Sequence, residues 1–112
     1  MTDIKFFKNN GVFIGFECSG HTGYAKSGKD IVCAAISSLT QSVVIGLQEV
    51  CFLGIRMTID DDGYIKVIIP QDLDARKLRD SQVLLETLYL SIKDLMMGYS
   101  NYISMEVIEN VY

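Results

Sequence analysis

This 112-residue sequence predicts an α+β fold, a two-layer sandwich in which two helices cover one face of a single, mainly antiparallel sheet. Short segments alternate apolar and polar residues, which is typical of strands with one buried face. Two longer segments instead repeat apolar residues at helical spacing. The predicted element order is ββαββαβ. Since a chain of this length buries roughly two thirds of its extended surface on folding, we expect residues 1–112 to form a single domain.

The second strand, at residues 12–19, shows the alternation most clearly. Its core face is predicted to carry Val12, Ile14, Phe16 and Cys18, and its outer face Phe13, Gly15, Glu17 and Ser19. Three later segments repeat the pattern with these core-facing residues: Ile55, Met57 and Ile59; Ile65, Val67 and Ile69; Ile103, Met105 and Val107. Together these segments predict a sheet with one apolar face.

A tight hairpin turn is predicted at Asp61-Asp62-Gly63, between the third and fourth strands. Glycine supplies the positive backbone angle that such turns require. An aspartate cluster before glycine can also indicate a calcium loop, but the spaced ligands and the closing glutamate of that motif are missing. We therefore interpret this segment as structural.

The first helix is predicted at about Asp30 to Phe52 and the second at about Asp80 to Met97, with Gly98 as its terminator. At about 100° per residue, the first helix turns one apolar stripe toward the sheet, and Cys33 falls outside it. Cys33 is therefore expected to border solvent or a cleft. The stripe of the first helix consists of Val32, Ala35, Ile36, Leu39, Val43, Leu47 and Val50. The second helix has a similar apolar stripe, which consists of Leu84, Leu85, Leu88, Ile92, Leu95 and Met96.

Composition narrows the function classes. Ten Lys and Arg against fourteen Asp and Glu leave a net charge of −4 without basic runs, which disfavours nucleic-acid binding. An odd number of cysteines and a start without signal-peptide features favour the reducing cytoplasm. We expect no membrane-spanning segment. One histidine and no C-x-x-C pair leave a zinc site short of ligands, so no metal is expected.

The only histidine, His21, and the cysteine at the start of the first helix, Cys33, carry the main indication of function. Imidazole titrates near neutrality, and a thiol in the first turn of a helix gains thiolate character from the positive helix end. Together they could form a nucleophile pair. Each also has a structural interpretation: a surface histidine on a loop, and an inert, partly buried cysteine.

The loop and helix residues around this pair leave further alternatives open. Asp30 is suited either to cap the helix or to orient the imidazole. The loop glycines grant the backbone freedom to close over a peptide, or simply form turns. The segment from Gly23 to Asp30 nearly matches a phosphate-binding loop, but Asp30 stands where a hydroxyl should bind magnesium, and its charge would repel phosphate.

The stretch from Gly20 to Ser37, GHTGYAKSGKDIVCAAIS, resembles the signature of the ribosomal-processing cysteine protease family, Prp, of Firmicutes and related bacteria. Length, strand order and the second helix also fit, so the resemblance covers essentially the whole chain. Thr22 stands where many members have alanine. The matching positions are Gly20, His21, Gly23, Gly28, Asp30, Ile31, Val32, Cys33, Ala34, Ala35 and Ser37.

The resemblance implies a cysteine endopeptidase that removes the N-terminal extension of the large-subunit ribosomal protein L twenty-seven. It implies His21 as general base and Cys33 as nucleophile. Backbone N–H groups at the start of the first helix are well placed to stabilise the oxyanion, because they have no partner within the helix. A homodimer without cofactor is also implied. The supporting residues would be Gly20, Asp30 and Ser37, and the substrate-binding residues Gly23, Tyr24 and Gly28.

Two other function classes stay open. The chain could be a non-catalytic dimeric module that binds a peptide during ribosome assembly, with Cys33 merely packed. It could also be a thiol redox sensor in which Cys18 or Cys51 resolves oxidised Cys33. Aromatic residues offer candidates for apolar contact with substrate, namely Tyr24, Phe13 and Tyr64. Apolar outer-strand positions offer a candidate dimer surface, namely Phe13, Tyr64, Ile68 and Ile108.

Overall fold

A computed structural model of the chain describes residues 1–19, 27–60 and 63–110, with side chains at all of these except 27–30. The element order ββαββαβ is confirmed. The first helix continues into a π-helical turn, Gly46–Val50. The strands and helices are β1 (Thr2–Asn9), β2 (Val12–Ser19), α1 (Ser27–Ile45), β3 (Arg56–Ile59), β4 (Ile65–Ile68), α2 (Ala75–Tyr99) and β5 (Ile103–Glu109).

The five strands form one sheet in the order β3-β4-β2-β1-β5. Strand β5 runs parallel to β1, and the other three pairs are antiparallel, so the prediction of a mainly antiparallel sheet is confirmed. Asn10 and Gly11 join β1 to β2 with positive φ angles of 51° and 79°. Two consecutive left-handed residues make the turn whose twist matches that of the flanking strands.

Both helices pack on the same face of the sheet, and the core lies between these two layers. From α1 and the turn that follows it come the buried residues Val32, Ile36, Val43 and Leu47, and from α2 come Leu85, Leu88 and Ile92. The sheet contributes Ile4, Phe6, Phe13, Phe16, Cys18, Val67 and Ile103, and Ile69 joins them directly after β4. The predicted apolar stripes of both helices thus supply the core, except that Val50, predicted in the stripe of the first helix, is 70% exposed.

The outer-face assignment of Phe13 is wrong. The pairing of β1 with β2 shifts between Phe7 and Lys8, so that Ile14 is an extra residue without a partner. A bulge of this kind displaces the in-out alternation by one residue. Phe13 is therefore only 6% exposed and packs edge-on against Phe6, with ring centroids 5.8 Å apart.

The edge strands are more exposed than the alternation predicts. All four residues of β3 are exposed, including Met57 and Ile59. Val107 of β5 is also exposed, whereas Ile103 of the same strand is buried. These residues lie on the first and last strands of the sheet, where only one side is flanked by another strand.

Both helices extend beyond their predicted starts. Helix α2 begins at Ala75 because the Asp74 carboxylate accepts a hydrogen bond of 2.8 Å from the Lys77 N–H and so caps the helix. It passes through Gly98 to Tyr99, so the prediction of Gly98 as terminator is wrong. Helix α1 begins at Ser27, three residues before the predicted start.

The expectation that no segment is long and apolar enough to span a membrane is wrong as stated. The segment Ile31–Val50 meets that test by length and composition alone. Its apolar side chains include Val32, Ile36, Val43 and Leu47, all of which are buried against the rest of the chain. A core helix of a folded domain passes the same test, and 33% of this segment is buried, so its length and composition are weak evidence of a membrane span.

Candidate functional site

Helix α1 places Cys33 at the edge of its buried stripe, between buried Val32 and exposed Ala34. The Cys33 side chain is half-buried and lines a cavity of about 90 Å³, as expected for a residue that borders a cleft. The wall of this cavity is formed by Thr2, Cys18, Cys33, Ile36, Ser37, Thr40, Gly63 and Ile65.

The cavity lies where the ends of three strands meet α1. Thr2 begins β1, Cys18 lies near the end of β2, and Ile65 begins β4. The register places these residues at one end of the sheet, because Cys18 pairs with Ile4 on one side and with Ile65 on the other. The fold thus brings strands that are distant in sequence to the Cys33 thiol.

Hydroxyl groups supply the polar part of this wall. The Thr2 Oγ1 lies 3.8 Å from the Cys33 Sγ, and either atom can be the donor. The Thr40 hydroxyl donates to the Ser37 carbonyl at 3.2 Å. Ser37 follows Cys33 by one helical turn and borders the same cavity, so the structure brings together two of the site residues named from the sequence.

Thr2 was not anticipated from the sequence. It stands 31 residues before Cys33, and no local motif connects the two. Only the pairing of β1 with its neighbours in the sheet brings the Thr2 hydroxyl to the sulfur. The N–H of Thr2 donates to the Tyr102 carbonyl at 2.9 Å, which holds the strand start in place.

The surroundings of Cys18 and Cys51 raise the pKa values of their thiols. Burial raises the pKa of Cys18 from 9.0 to about 12, and the neighbouring Glu17 charge adds to this shift. Desolvation also raises the pKa of Cys51, with a further contribution from Asp80. Both shifts disfavour the thiolate, which is the nucleophilic and the metal-binding form.

Several predicted site residues fall outside the described part of the chain. These are Gly20, His21, Gly23 and Tyr24. Gly28 and Asp30 lie within α1, where only their backbone is described. The pairing of His21 with Cys33 and the substrate-binding roles of the loop therefore stay predictions.

The helix start corrects two expectations about Asp30 and Cys33. Because α1 begins at Ser27, Asp30 is inside the first turn and not at the capping position. Cys33 is the seventh helical residue, beyond the first four, whose N–H groups lack a partner within the helix. The influence of a helix end fades within its first turn. The helix start is therefore a weaker source of thiolate or oxyanion stabilisation at Cys33 than the sequence suggested.

Among residues 1–19, 27–60 and 63–110, no group of three or more His, Cys, Asp or Glu side chains could hold a metal ion. The described wall of the Cys33 cavity accordingly contains hydroxyls, thiols and aliphatic groups, and no carboxylate. The chemistry of this site, as far as its described residues go, is that of a thiol.

Comparisons with known proteins place this chain in the class of cysteine proteases. The model of the family described as cysteine protease Prp matches residues 1–104, so the chain belongs to the Prp family of ribosomal-processing cysteine proteases. A relative from Bacillus subtilis (strain 168), the ribosomal processing cysteine protease Prp, is 26% identical over 91 residues. That alignment covers 79% of this chain and 80% of the relative.

Two solved structures of the essential ribosomal processing protease Prp from S. aureus share the fold. One is a complex with a substrate peptide, with a TM-score of 0.85 and 19% identity. The other carries a covalently linked product peptide, with a TM-score of 0.82 and 20% identity. Each similarity covers 96% of this chain and 100% of the S. aureus chain. The α+β architecture is therefore that of the family.

Proposed function

We propose that this protein cleaves the N-terminal extension from the precursor of ribosomal protein L twenty-seven, with Cys33 as the nucleophile. The observation that carries this proposal is the position of Cys33 at an open cavity, beside hydroxyls. Cys18 and Cys51 are poor candidates because surroundings that raise their pKa values disfavour the thiolate. The substrate identity is what the resemblance to the Prp family implies.

In the proposed mechanism, His21 accepts the proton of Cys33, and the resulting thiolate attacks the scissile carbonyl carbon. The C–N bond then breaks, and the imidazolium of His21 gives its proton to the leaving amine. Water hydrolyses the thioester and restores the thiol. Ser37 supports the site from the same cavity wall as Cys33. As the resemblance implies, Asp30 also supports the site and Gly20 shapes the loop beside it.

The substrate peptide is proposed to lie along the loop that precedes α1. Gly23, Tyr24 and Gly28 are the candidates for contact with it, because the glycines give the loop freedom to close over a peptide and Tyr24 offers apolar contact. The S. aureus relative has been solved with a substrate peptide and with a covalently linked product peptide, which supports peptide binding by a protein of this fold. Covalent linkage is what attack by a thiol on a peptide carbonyl would leave behind.

The protein is further proposed to act as a cytoplasmic homodimer that needs no cofactor. Support for a dimer comes from the outer face of the sheet, where Tyr64, Ile68 and Ile108 are only half-buried. Apolar side chains on an uncovered sheet face favour association. Phe13 no longer contributes to this surface because it belongs to the core. Sedimentation equilibrium would measure the oligomeric state.

The decisive experiment incubates the purified protein with the extended ribosomal precursor and identifies the new N-terminus by mass spectrometry. We expect Cys33→Ala and His21→Ala each to abolish cleavage, because each removes one half of the proposed pair. Cys51→Ala is the matched control and should retain the wild-type rate. Full turnover by either site variant would exclude this pair, and binding of the precursor without cleavage by the wild-type protein would favour the peptide-binding module.

A further inference from the structure

The hydroxyl of Thr2 lies against the sulfur of Cys33. The Oγ1 to Sγ distance is 3.8 Å, within reach of a hydrogen bond to sulfur. Thr2 is 8% exposed, so little water competes for its hydroxyl. Its backbone is held on the β5 side by the N–H bond to Tyr102 and by its pairing with Ile103. The hydroxyl is thus presented by a strand of the central sheet and not by a flexible loop.

Among the residues that the structure describes, few besides Thr2 could stabilise a negative charge on the sulfur. The described cavity wall holds no charged side chain, and its other thiol, Cys18, has a pKa raised to about 12 and stays neutral. The Thr40 hydroxyl already donates to the Ser37 carbonyl. Cys33 is past the helical N–H groups that lack partners. Thr2 is the described residue whose hydroxyl lies at the sulfur.

A threonine hydroxyl can serve both protonation states of a thiol. It has one O–H donor and two acceptor lone pairs, so it can accept from a neutral S–H or donate to it. A thiolate has no proton to give, and Thr2 must then be the donor. Hydrogen bonds with one charged partner are roughly twice as strong as neutral ones, so the contact favours the ionised sulfur.

We propose that Thr2 is a positioning residue for the Cys33 nucleophile, and that its hydroxyl donates a hydrogen bond to the sulfur once the thiol has lost its proton. This inference rests on the proposed function of Cys33. Thr2 forms no covalent bond and exchanges no proton with the substrate. It holds the sulfur in place at the cavity and favours the form that attacks the peptide.

Thr2→Val removes the hydroxyl and keeps a branched side chain of similar shape, whereas Thr2→Ser keeps the hydroxyl. At pH 7 we expect Thr2→Val to slow alkylation of Cys33 by iodoacetamide about tenfold, the size of one charge-assisted hydrogen bond. The pH of half-maximal alkylation should rise by about one unit. We expect kcat for precursor cleavage to fall about tenfold with KM changed less than about twofold, and Thr2→Ser to restore both readouts.

Controls separate this role from a structural one. Thr87→Val removes an exposed hydroxyl on α2, which donates to the Val83 carbonyl, and should leave the alkylation profile and kcat unchanged. If Thr2→Val does not fold, as judged by circular dichroism, Thr2→Ala removes the same hydroxyl. A wild-type alkylation profile and kcat in the folded hydroxyl-free variant would overturn the proposal. Cleavage by Cys33→Ala would instead overturn the proposed function, while the alkylation profile would still decide the Thr2 contact.

Discussion

Cys18, Cys33 and Cys51 carry the same thiol group in three different surroundings. Cys18 is 5% exposed on the core face of β2, and burial raises its pKa to about 12. Cys33 lines the same cavity from the helix side, where it meets the Thr2 hydroxyl. At the scale of single residues, the position of each thiol relative to the cavity and the core thus separates a structural cysteine from a candidate nucleophile.

The raised pKa of Cys18 makes a prediction about stability. In the unfolded chain this thiol ionises near its ordinary value of 9.0, whereas in the native protein it stays protonated up to about pH 12. The unfolded state therefore binds fewer protons in this window, and the free energy of unfolding falls as pH rises from about 9 toward 12. We expect urea denaturation at pH 8 and pH 10 to show this decrease in the wild-type protein.

Cys18→Ala is the comparison that isolates the thiol from the other groups that titrate in this window. The variant should be less stable at pH 8 because it leaves a cavity in the core. Between pH 8 and pH 10, the free energy of unfolding of the variant should fall less than that of the wild-type protein. An equal decrease in the free energy of unfolding of the two proteins would contradict the burial of a neutral thiol at this position.

At the scale of elements, the bulge in β2 is tied to helix α2 by one side chain. The Gln82 amide oxygen accepts from the Phe13 N–H at 2.9 Å, and its amide nitrogen donates to the Phe13 carbonyl at 2.7 Å. Both backbone groups of Phe13 are thus satisfied by α2. Tyr89 of the same helix packs on the Phe13 ring with centroids 5.5 Å apart. Helix α2, which covers the bulge, therefore stabilises it by hydrogen bonds to its backbone and by packing on its side chain.

Gln82→Ala should lower the free energy of unfolding by about 1 to 3 kcal/mol, because it leaves the backbone N–H and carbonyl of a buried residue without these partners. Urea denaturation measures the change. Glu86→Ala, on an exposed position of the same helix, should change stability by less than about 0.5 kcal/mol. Similar losses in both variants would show that the side chain of Gln82 does not hold the bulge.

At the scale of the whole molecule, one row of paired residues crosses all five strands through Gly15. The row consists of Arg56, Ile68, Gly15, Phe7 and Ile108. A Cβ at Gly15 would collide with the Val67 carbonyl oxygen and lie 2.8 Å from the Ile68 Cδ1. Strand β2 is the central strand of the sheet, so displacement here would disturb the packing on both of its sides.

Gly15→Ala is therefore expected to destabilise the protein by about 3 kcal/mol or more, since the obstacle includes backbone that cannot rotate away. Gly54→Ala is the matched control, because nothing lies within 4 Å of a Cβ at that position. Thermal unfolding should show a large decrease in Tm for the first variant and little change for the second. A Gly15→Ala protein as stable as Gly54→Ala would mean that the sheet accommodates a methyl group at its centre.

The sequence by itself determined the order of the elements, the apolar stripes of both helices and the place of Cys33 beside the buried stripe of α1. These are local properties, since periodicity is expressed over one or two turns or a few strand residues. It also supported the family, because the motif from Gly20 to Ser37 is contiguous. The role of His21 remains a prediction from that motif.

Only the tertiary structure decided the strand order, the parallel pairing of β5 with β1, the inward position of Phe13 and the contact of Thr2 with Cys33. Each depends on groups that are far apart in sequence: Thr2 and Cys33 are 31 positions apart, and Phe13 and Gln82 are 69 positions apart. Hydrophobic periodicity records which face a residue prefers and not which strand will lie beside it. Those neighbours are selected by packing of the complete chain around one core.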